Sequence, residues 1–418
     1  MSVRVAVIGA GASGLFAAAQ LLRLGASADI YERNDRVGKK LSITGKGRCN
    51  ITNKCTPAQV FENVVTNPKF LFSAINSFTP DDTIEYFESI GVATKVERGR
   101  RVFPQSDRAA DVVNALEHDV KSRGGNIILN TRVSAVRQEK NGVEVFFDGG
   151  SAEYDCAVVA TGGESYKGTG STGDGYAFAK ALGNKINTPR AALVPIYLKD
   201  DVSSLAGLSL RNVTVTVSSP GKRDISMFGE MLFMHRGISG PTVLSLSSLC
   251  ADRTDGRGKF SSAKVFIDLK PALDNEKLDK RIMRDLSDGN TKAVKNVLPA
   301  LMPKSLIPFV LAQADISQNR RACDITSAER ESLVRAVKGL SFTPDCLGGV
   351  NEGIITAGGV DVKQINPRDC SDKLAENVYF IGEVLDVDAL TGGYNLQIAF
   401  STAYICAKGI AGKYNLSE

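Results

Sequence analysis

The chain has 418 residues, of which 43% are hydrophobic and 23% charged, an ordinary globular composition in a chain too long for one hydrophobic core. Its +5 formal charge is mild, and its basic residues form local patches rather than the continuous stripe typical of nucleic-acid-binding proteins. The eight cysteines form no C-x-x-C motif and there are two histidines, so we expect no metal site and no disulfide scaffold.

The N-terminus, MSVRVAVIGAGASG, brings charge and glycine too early for the apolar region of a secretion signal. No apolar run in the sequence approaches the ~18 residues that a membrane span needs. We therefore expect a cytoplasmic protein without a membrane partner.

The first predicted unit is strand, turn, helix and strand. Residues 3–8 form a buried strand, GAGASG at 9–14 a tight turn, Leu15–Leu24 a helix, and residues 28–31 a second strand that leads to Glu32. The turn carries a GxGxxG motif at Gly9, Gly11 and Gly14, in which glycine permits the turn, the approach of a pyrophosphate and close helix packing. Glu32 is placed to accept hydrogen bonds from an adenosine ribose.

The next hundred residues are predicted to be mostly helical and then to form strands. Apolar spacing predicts helices over Val60–Ile75, Asp81–Ile90 and Ala109–Ser122, and a short strand over Arg100–Pro104. Strands are predicted at 126–130, 132–138, 143–147 and 155–160.

A change of character near residue 189 indicates an insertion. Strands at 194–198, 210–217 and 231–233 predict a β-rich insert over 189–272, and helices at 276–286, 292–298 and 327–337 predict a small helical subdomain over 273–345. The last segment, with a strand at 378–381 and a helix from about 393 to 411, is too short to fold alone. We therefore predict a discontinuous domain of residues 1–188 and 346–418.

Further glycine-rich segments favour FAD over a nicotinamide as the bound cofactor. They are GKKLSITGKGRCNITN (38–53), ATGG (160–163) and GEVLD (382–386) with GGYNLQ (392–397). The helix beginning near Gly393 would direct its positive end at the flavin ring.

GKKLSITGKGRCNITN (38–53), TGGESYKGTGSTGDG (161–175) and GEVLDVDALTGGYNLQIAF (382–400) resemble the signatures of the BaiN/RdsA (YhiN-type) family of FAD-dependent oxidoreductases. The chain departs from the family pattern at Lys167, where the family usually has proline. HRGISGP (235–241) and IITAGGV (354–360) are similar to two further blocks of that family, so the resemblance spans nearly the whole chain. It implies an α/β fold, with a Rossmann-like domain of the two-dinucleotide-binding type, an inserted β-barrel-like domain and a helical subdomain.

The resemblance also implies site residues. Phosphate and ribityl contacts fall on Gly9, Gly11, Gly14, Glu32, Lys40, Gly45, Arg48, Gly382, Glu383 and Asp386. The rest of the predicted FAD-binding set comprises Ala12, Ser13, Arg33, Leu41, Gly47, Cys49, Asn50, Val133, Thr161, Gly162, Gly163, Gly392, Gly393, Tyr394, Asn395 and Leu396.

A second GxGxxG, GTGSTG at 168–173, follows its strand by seven residues and is not followed by a strand–helix–strand unit with an acid. We interpret it as a loop over the cofactor rather than a separate nicotinamide domain. NAD(P)H would then reach the flavin directly as a transient electron donor.

Several other side chains have two interpretations. Cys49 and Cys55 could form a redox pair, although their spacing favours two reduced thiols. His235 and Tyr394 are candidate general acids, against a turn histidine and a stacking residue. His118 is predicted to lie on the surface, and Arg100 and Arg101 either bind an anionic substrate or lie on a solvated loop.

Three functions follow. The first is a reductase that delivers hydride from flavin N5 to a C=C bond conjugated to a carbonyl. The family resemblance implies a steroid or bile-acid enone, or a uridine of ribosomal RNA, as its substrate. The second is an amine or amino-acid oxidase that produces hydrogen peroxide. The third is an RNA-binding flavoprotein. The substrate is therefore a small molecule or an RNA.

Overall fold

The computed structural model describes residues 3–416 and divides the chain into two compact units. The first unit runs to Ala192 and resumes at Val350, while the second comprises Leu193–Gly349. The insertion therefore begins and ends at neighbouring points of the first unit's chain. Within the described residues, no helix combines the length and the apolar character of a membrane span.

The elements are given in chain order. Before the insertion lie strands β1 Arg4–Ile8, β2 Ser27–Tyr31, β3 Thr52–Asn53, β4 Val64–Thr66, β5 Thr94–Glu97, β6 Arg101–Pro104, β7 Asn126–Ile128, β8 Val133–Glu139, β9 Gly142–Phe147, β10 Gly150–Tyr154, β11 Cys156–Val159 and β12 Ile186–Ala192. Helices of this segment are α1 Ala12–Arg23, α2 Lys39–Gly47, α3 Pro57–Glu62, α4 Phe72–Ser77, α5 Pro80–Ser89, α6 Ala109–Ser122 and α7 Asp174–Ala181.

The insertion and the return segment complete the chain. The insertion contains β13 Ile196–Leu198, β14 Ser209–Ser218, β15 Ile225–Met234, β16 Gly237–Ser239, α8 Pro241–Leu249, β17 Lys264–Asp268, α9 Asn275–Asp288, α10 Val294–Val297, α11 Ile307–Gln313, α12 Ser327–Lys338, β18 Leu340–Phe342 and β19 Pro344–Leu347. The return segment contains β20 Ile355–Val360, β21 Val378–Phe380, β22 Asp388–Ala389 and α13 Tyr394–Tyr414.

The first unit is built on a parallel sheet of order β21-β11-β1-β2-β7. Val5 to Ile8 of β1 are nearly or fully buried, as expected for a strand covered on both faces. The return strand β21 pairs in parallel with β11, Val158 opposite Tyr379. The last segment of the chain therefore completes the sheet that the first segment begins, as the sequence predicts.

Helices α1 and α13 cover this sheet. Phe16 of α1 packs against Phe400 of α13 with ring centroids 5.4 Å apart. A buried hydrogen-bond network then fixes α13, because Gln397 Oε1 accepts from the Thr52 hydroxyl at 2.6 Å and from the Thr83 hydroxyl at 2.8 Å. The N-terminus of α13 is thereby held against β3.

The helix predicted over Val60–Ile75 is wrong. The segment breaks into α3, β4, a 3₁₀ turn and α4. Val64, Val65 and Thr66 are β-branched residues that favour extended backbone, and β4 pairs with β22 from the far end of the chain. Asn67 then adopts a left-handed backbone before Pro68, which prevents a continuous helix.

The second unit contains an antiparallel sheet of order β18-β17-β14-β15-β16-β13-β19. The alternating burial of β14, with Val213, Val215 and Val217 inward, is the pattern of a sheet with one covered face. One hydrophobic core joins these strands to the helices, since Val215 and Ile267 belong to the same buried cluster as Leu278 of α9 and Leu333 of α12.

Candidate functional site

The turn between β1 and α1 can be built only with glycine at two positions. Gly9 has φ +106° and donates its N–H to Tyr31 O of the next strand at 2.8 Å. A Cβ on Gly14 would lie 1.9 Å from Gly9 O, so helix and turn are in backbone contact. Gly9 thus supplies the backbone conformation of the turn, and Gly14 permits the close contact of helix and turn.

Gly11, the middle glycine, faces open space. A Cβ there would have no heavy atom within 4 Å, and no side chain caps the first turn of α1. The N–H groups of a helix start carry partial positive charge and have no partner within the helix. An uncapped, accessible helix start of this kind fits a pyrophosphate.

Glu32 holds the turn to the next strand. Its side chain is 8% exposed, and its oxygens accept from Ala10 N at 2.9 Å and from Asn34 N and Nδ2 at 2.9 and 2.6 Å. The carboxylate is therefore fixed at the edge of the glycine turn, where a ribose hydroxyl would have to bind.

The second glycine-rich loop lies beside this acid. Asn34 Nδ2 donates to Thr169 O at 3.0 Å, and Arg33 pairs with Asp174 at 3.0 Å at the start of α7. The loop belongs to the first unit and is followed by a helix whose N-cap is Gly173. This position supports its interpretation as part of the same cofactor site.

The return segment meets the first motif at Gly382. A Cβ on Gly382, whose φ is +70°, would lie 2.7 Å from Ser13 Oγ of α1. Lys40 Nζ donates to Oε2 and Oε1 of the adjacent Glu383 at 2.6 and 2.9 Å. Motifs that are 343 positions apart in sequence therefore form one cluster.

Ser165 and Thr356 complete this cluster, and sequence reasoning missed them. Ser165 Oγ donates to Glu383 Oε1 at 3.1 Å, and Thr356 N donates to the same oxygen at 2.9 Å. Thr356 Oγ1 in turn accepts from Glu164 N at 2.7 Å, and a Cβ on Gly163 would lie 2.4 Å from that hydroxyl oxygen. Ser165 lies in the glycine-rich block 161–175 and Thr356 in the block 354–360, so their places in these blocks could have identified them as site residues.

Asp386 is fixed by two asparagines that no sequence motif predicted. Asn187 Nδ2 donates to its Oδ2 at 2.7 Å, and Asn67 Nδ2 donates to the same atom at 3.1 Å. Asp386 is 7% exposed. The two amide donors fix the orientation of the carboxyl group, whose oxygens can accept further hydroxyl donors.

Arg48 forms ion pairs with two carboxylates, one on β5 and one just after β6. Its guanidinium bonds to Glu97 and Asp107 and lies 4.2 Å from the Phe103 ring centroid. These hydrogen bonds raise the pKa of Arg48 far above its usual value. Its charge is balanced within the protein, so its predicted phosphate contact stays a prediction.

The GRCN segment supplies a buried acceptor. Asn50 Oδ1 is buried and, among the described residues, has no hydrogen-bond partner. Burying an unsatisfied amide oxygen costs about 1–3 kcal/mol. An N–H or hydroxyl donor of a bound group would remove that cost, so the segment has an acceptor that fits a ligand. Leu41 is buried nearby in the motif, while Gly45 and Gly47 have positive φ.

The start of α13 is also uncapped and glycine-dependent. A Cβ on Gly393 would lie 2.4 Å from Thr52 O, and Gly392 has φ +131°. Asn395 Oδ1 accepts from Ala389 N at 3.0 Å, which fixes the approach to the helix. Tyr394 is half-buried, and burial raises its pKa to about 12. Its phenol is therefore protonated at neutral pH and able to donate.

The remaining predicted residues are placed as follows. Val133 begins β8 and is buried, Thr161 is half-buried after β11, Leu396 is half-buried on α13, and Ala12 opens α1. His118 is exposed on α6, as predicted. His235 is exposed in the turn between β15 and β16 of the second unit, and its role as an acid stays a prediction.

The surroundings of Cys49 and Cys55 do not activate their thiols. Burial raises the pKa of Cys49 to about 12 and that of half-buried Cys55 to about 11. Because thiolates react and thiols do not, we expect a thiol reagent at pH 8 to modify exposed Cys323 long before Cys49 or Cys55. Mass spectrometry of a labelling time course tests this. Labelling of Cys55 as fast as Cys323 would contradict it.

Asp388 predicts a pH-dependent stability. It is fully buried in β22, and burial raises its pKa, opposed in part by the Thr66 hydroxyl and Arg190. The folded state therefore favours the protonated acid, so its contribution is most favourable below the unfolded pKa of about 4 and declines as pH rises through the folded pKa.

We expect the free energy of unfolding of Asp388→Asn to exceed that of the parent by a margin that grows as pH rises from about 4. The full margin is about 1.4 kcal/mol for each pH unit by which folding raises the pKa of Asp388. Melting temperatures of both proteins across this range measure the difference. Exposed Asp148→Asn is the control and should show no such trend. A difference that does not change with pH would refute the expectation.

The chain is similar to several known proteins. A family model described as the HI0933-like protein Rossmann domain matches residues 3–409. The ribosomal RNA dihydrouridine synthase of Haemophilus influenzae is 34% identical over 411 residues, 97% of this chain and 98% of that protein. The 3-dehydro-bile acid delta(4,6)-reductase of Clostridium scindens is 31% identical, covering 98% of this chain and 99% of that protein.

A solved structure shares the fold. It is 3-ketosteroid delta1-dehydrogenase from Sterolibacterium denitrificans, with a TM-score of 0.53 at 13% identity, covering 98% of this chain and 99% of that one. At this identity the likeness concerns the arrangement of helices and strands.

Proposed function

The chain belongs to the HI0933-like Rossmann-domain family and is an FAD-dependent oxidoreductase; we propose that it is a reductase that saturates a C=C bond conjugated to a carbonyl, with NAD(P)H as the electron donor. The observation that carries the proposal is the start of α13, where an uncapped helix end lies beside a protonated, half-buried phenol. A reduction of this kind needs a stabilised electron carrier and a proton donor in one place.

Residues of the first unit would hold the cofactor. Gly9, Gly11 and Gly14 with the start of α1 would receive the pyrophosphate, and Glu32 the adenosine ribose. Glu383 and Asp386, both fixed by donors, would accept from ribityl hydroxyls. Asn50 Oδ1 would accept from the ring or ribityl chain, which would satisfy an otherwise unpaired buried oxygen.

When bound, FAD would supply the redox chemistry, which is two-electron reduction by NAD(P)H and hydride delivery to one carbon of the C=C bond. The second carbon must receive a proton. Tyr394 holds one at Oη and is the first candidate, and His235 is the alternative acid predicted from the sequence. The start of α13 would stabilise negative charge on the ring edge.

The two relatives support the reaction class. The Haemophilus influenzae relative is named as a dihydrouridine synthase of ribosomal RNA, and the Clostridium scindens relative as a delta(4,6)-reductase of a 3-dehydro-bile acid. Saturation of a C=C bond next to a carbonyl is common to both kinds of substrate, although the substrates differ.

Anaerobic spectroscopy of the purified flavoprotein tests the proposal. We expect NADH or NADPH to bleach the flavin and a conjugated enone or uridine-containing RNA to restore its colour. Tyr394→Phe should slow reoxidation by the enone about 100-fold and leave bleaching unchanged, whereas His235→Gln should change neither. Bleaching by amines with formation of hydrogen peroxide would favour an oxidase instead. Tight RNA binding without any reoxidation would favour an RNA-binding flavoprotein.

A further inference from the structure

The turn that joins β5 and β6 presents two arginines without carboxylate partners. Arg100 NH1 donates to the neutral amide oxygen of Gln59 at 3.1 Å, and Arg101 Nε donates to Arg98 O at 3.0 Å. In residues 3–416, neither arginine has an ion pair within 4.0 Å, whereas the neighbouring Lys54 pairs with Asp81 at 2.7 Å. Within the part of the chain that the structure describes, the charges of Arg100 and Arg101 are therefore not balanced by a directly paired carboxylate.

This turn is joined to the start of α13. Asn53 Nδ2 donates to Gly99 O and to Gly392 O, both at 3.0 Å. Lys54 N donates to Arg100 O at 2.7 Å, which fixes the turn from its other side. These hydrogen bonds hold the turn next to the start of α13, where Tyr394 lies. Arg100 is close enough to Tyr394 to oppose the increase in its pKa that burial causes.

The backbone conformation at Arg100 is one that glycine adopts more readily than arginine. Arg100 has φ +59°, directly after Gly99 at φ +74°. The left-handed region disfavours residues with a Cβ and suits glycine. Arg100 is exposed in that conformation, so its guanidinium group is accessible to a ligand.

We propose that Arg100 and Arg101 form a docking site for an anionic group of the substrate, a carboxylate or a phosphate, beside the start of α13. Guanidinium groups bind both kinds of anion with paired, charge-assisted hydrogen bonds. The proposal deepens the proposed function, because it makes a negatively charged enone or uridine substrate preferred over a neutral one.

A matched pair of substrates tests the docking site. A 3-oxo-4-ene steroid that bears a side-chain carboxylate is compared with its neutral methyl ester, in steady-state reduction by the holoenzyme. For Arg100→Gln/Arg101→Gln we expect about a tenfold higher KM for the carboxylate, with kcat and the ester's kinetics unchanged. Added salt should raise the parent's KM for the carboxylate and have little effect on the double variant.

Two further variants separate charge from fold. Arg100→Gly suits the left-handed backbone, so it should keep the melting temperature while raising the same KM, and Arg100→Lys should restore part of the loss. Arg368→Gln is the matched control and should behave as the parent. Arg368 is far from the turn, because its neighbour Asp369 lies against Gly409, about 22 Å along α13 from the start of that helix.

The outcomes distinguish the two proposals. Equal effects on carboxylate and ester, or no effect on either, would overturn the docking site. If neither steroid is turned over, binding is followed through the absorbance of the oxidised flavin. Carboxylate binding that depends on Arg100 and Arg101 would then retain the docking site while the proposed reaction fails. A short uridine-containing RNA as a second probe shows whether phosphate rather than carboxylate is the anion, and binding of no probe would overturn the docking site.

Discussion

Gly14→Ala is expected to produce a protein that folds poorly and carries almost no FAD. The new Cβ would lie 1.9 Å from Gly9 O and 3.3 Å from the Ala160 side chain, so α1 must move away from the turn that precedes it. Overpacking of this kind costs about 1–3 kcal/mol, and more where backbone atoms have to move. The flavin-to-protein absorbance ratio and the urea midpoint measure both losses.

Gly11→Ala is the matched control for that variant. Gly11 has φ −83°, and its Cβ would meet no heavy atom within 4 Å, so stability should fall by less than about 1 kcal/mol. FAD affinity should nevertheless fall, because the methyl group would occupy the space through which a pyrophosphate approaches the start of α1. Normal flavin content in Gly11→Ala would show that the phosphates do not bind there. Normal stability in Gly14→Ala would contradict the packing argument.

The second large effect is expected at the Lys40–Glu383 pair. Both side chains are about one-fifth exposed, and the pair joins the first and last segments of the chain at 2.6 Å. We expect Glu383→Gln and Lys40→Met each to destabilise the protein by about 1.5–3 kcal/mol, because each leaves a partly buried charge or donor unpaired. The double variant should lose about 1–2 kcal/mol less than the sum of the two.

Flavin content and denaturant unfolding of the four proteins measure this coupling. The control cycle uses Lys54 and Asp81, which form an ion pair with more than half of each side chain exposed. That pair should show a coupling of about 0–1 kcal/mol and leave flavin content unchanged. Additive effects at Lys40 and Glu383 would mean that the pair does not hold the two segments together.

The sequence by itself predicted those parts of the site whose information is local. The GxGxxG turn, the strand before it and the helix after it lie within about thirty residues, and hydrophobic period and glycine placement specify them without reference to the rest of the chain. The same holds for α6, predicted and found at Ala109–Ser122, and for the start of α13. The resemblance to a flavin-dependent family rested on such local blocks.

Only the tertiary structure decided which side chains meet. It brought Glu383 to Lys40 and Thr356, and Asp386 to Asn67 and Asn187, across separations that no periodicity encodes. It also replaced the predicted helix at Val60–Ile75 by β4, since pairing with β22 outweighs local helical spacing. Burial, which depends on the whole fold, left Cys49 and Cys55 as protonated thiols and gave Asn50 an unpaired oxygen. Local patterns fix turns and helices because their hydrogen bonds close within a few residues, whereas long-range pairs and desolvation exist only once distant segments have packed together.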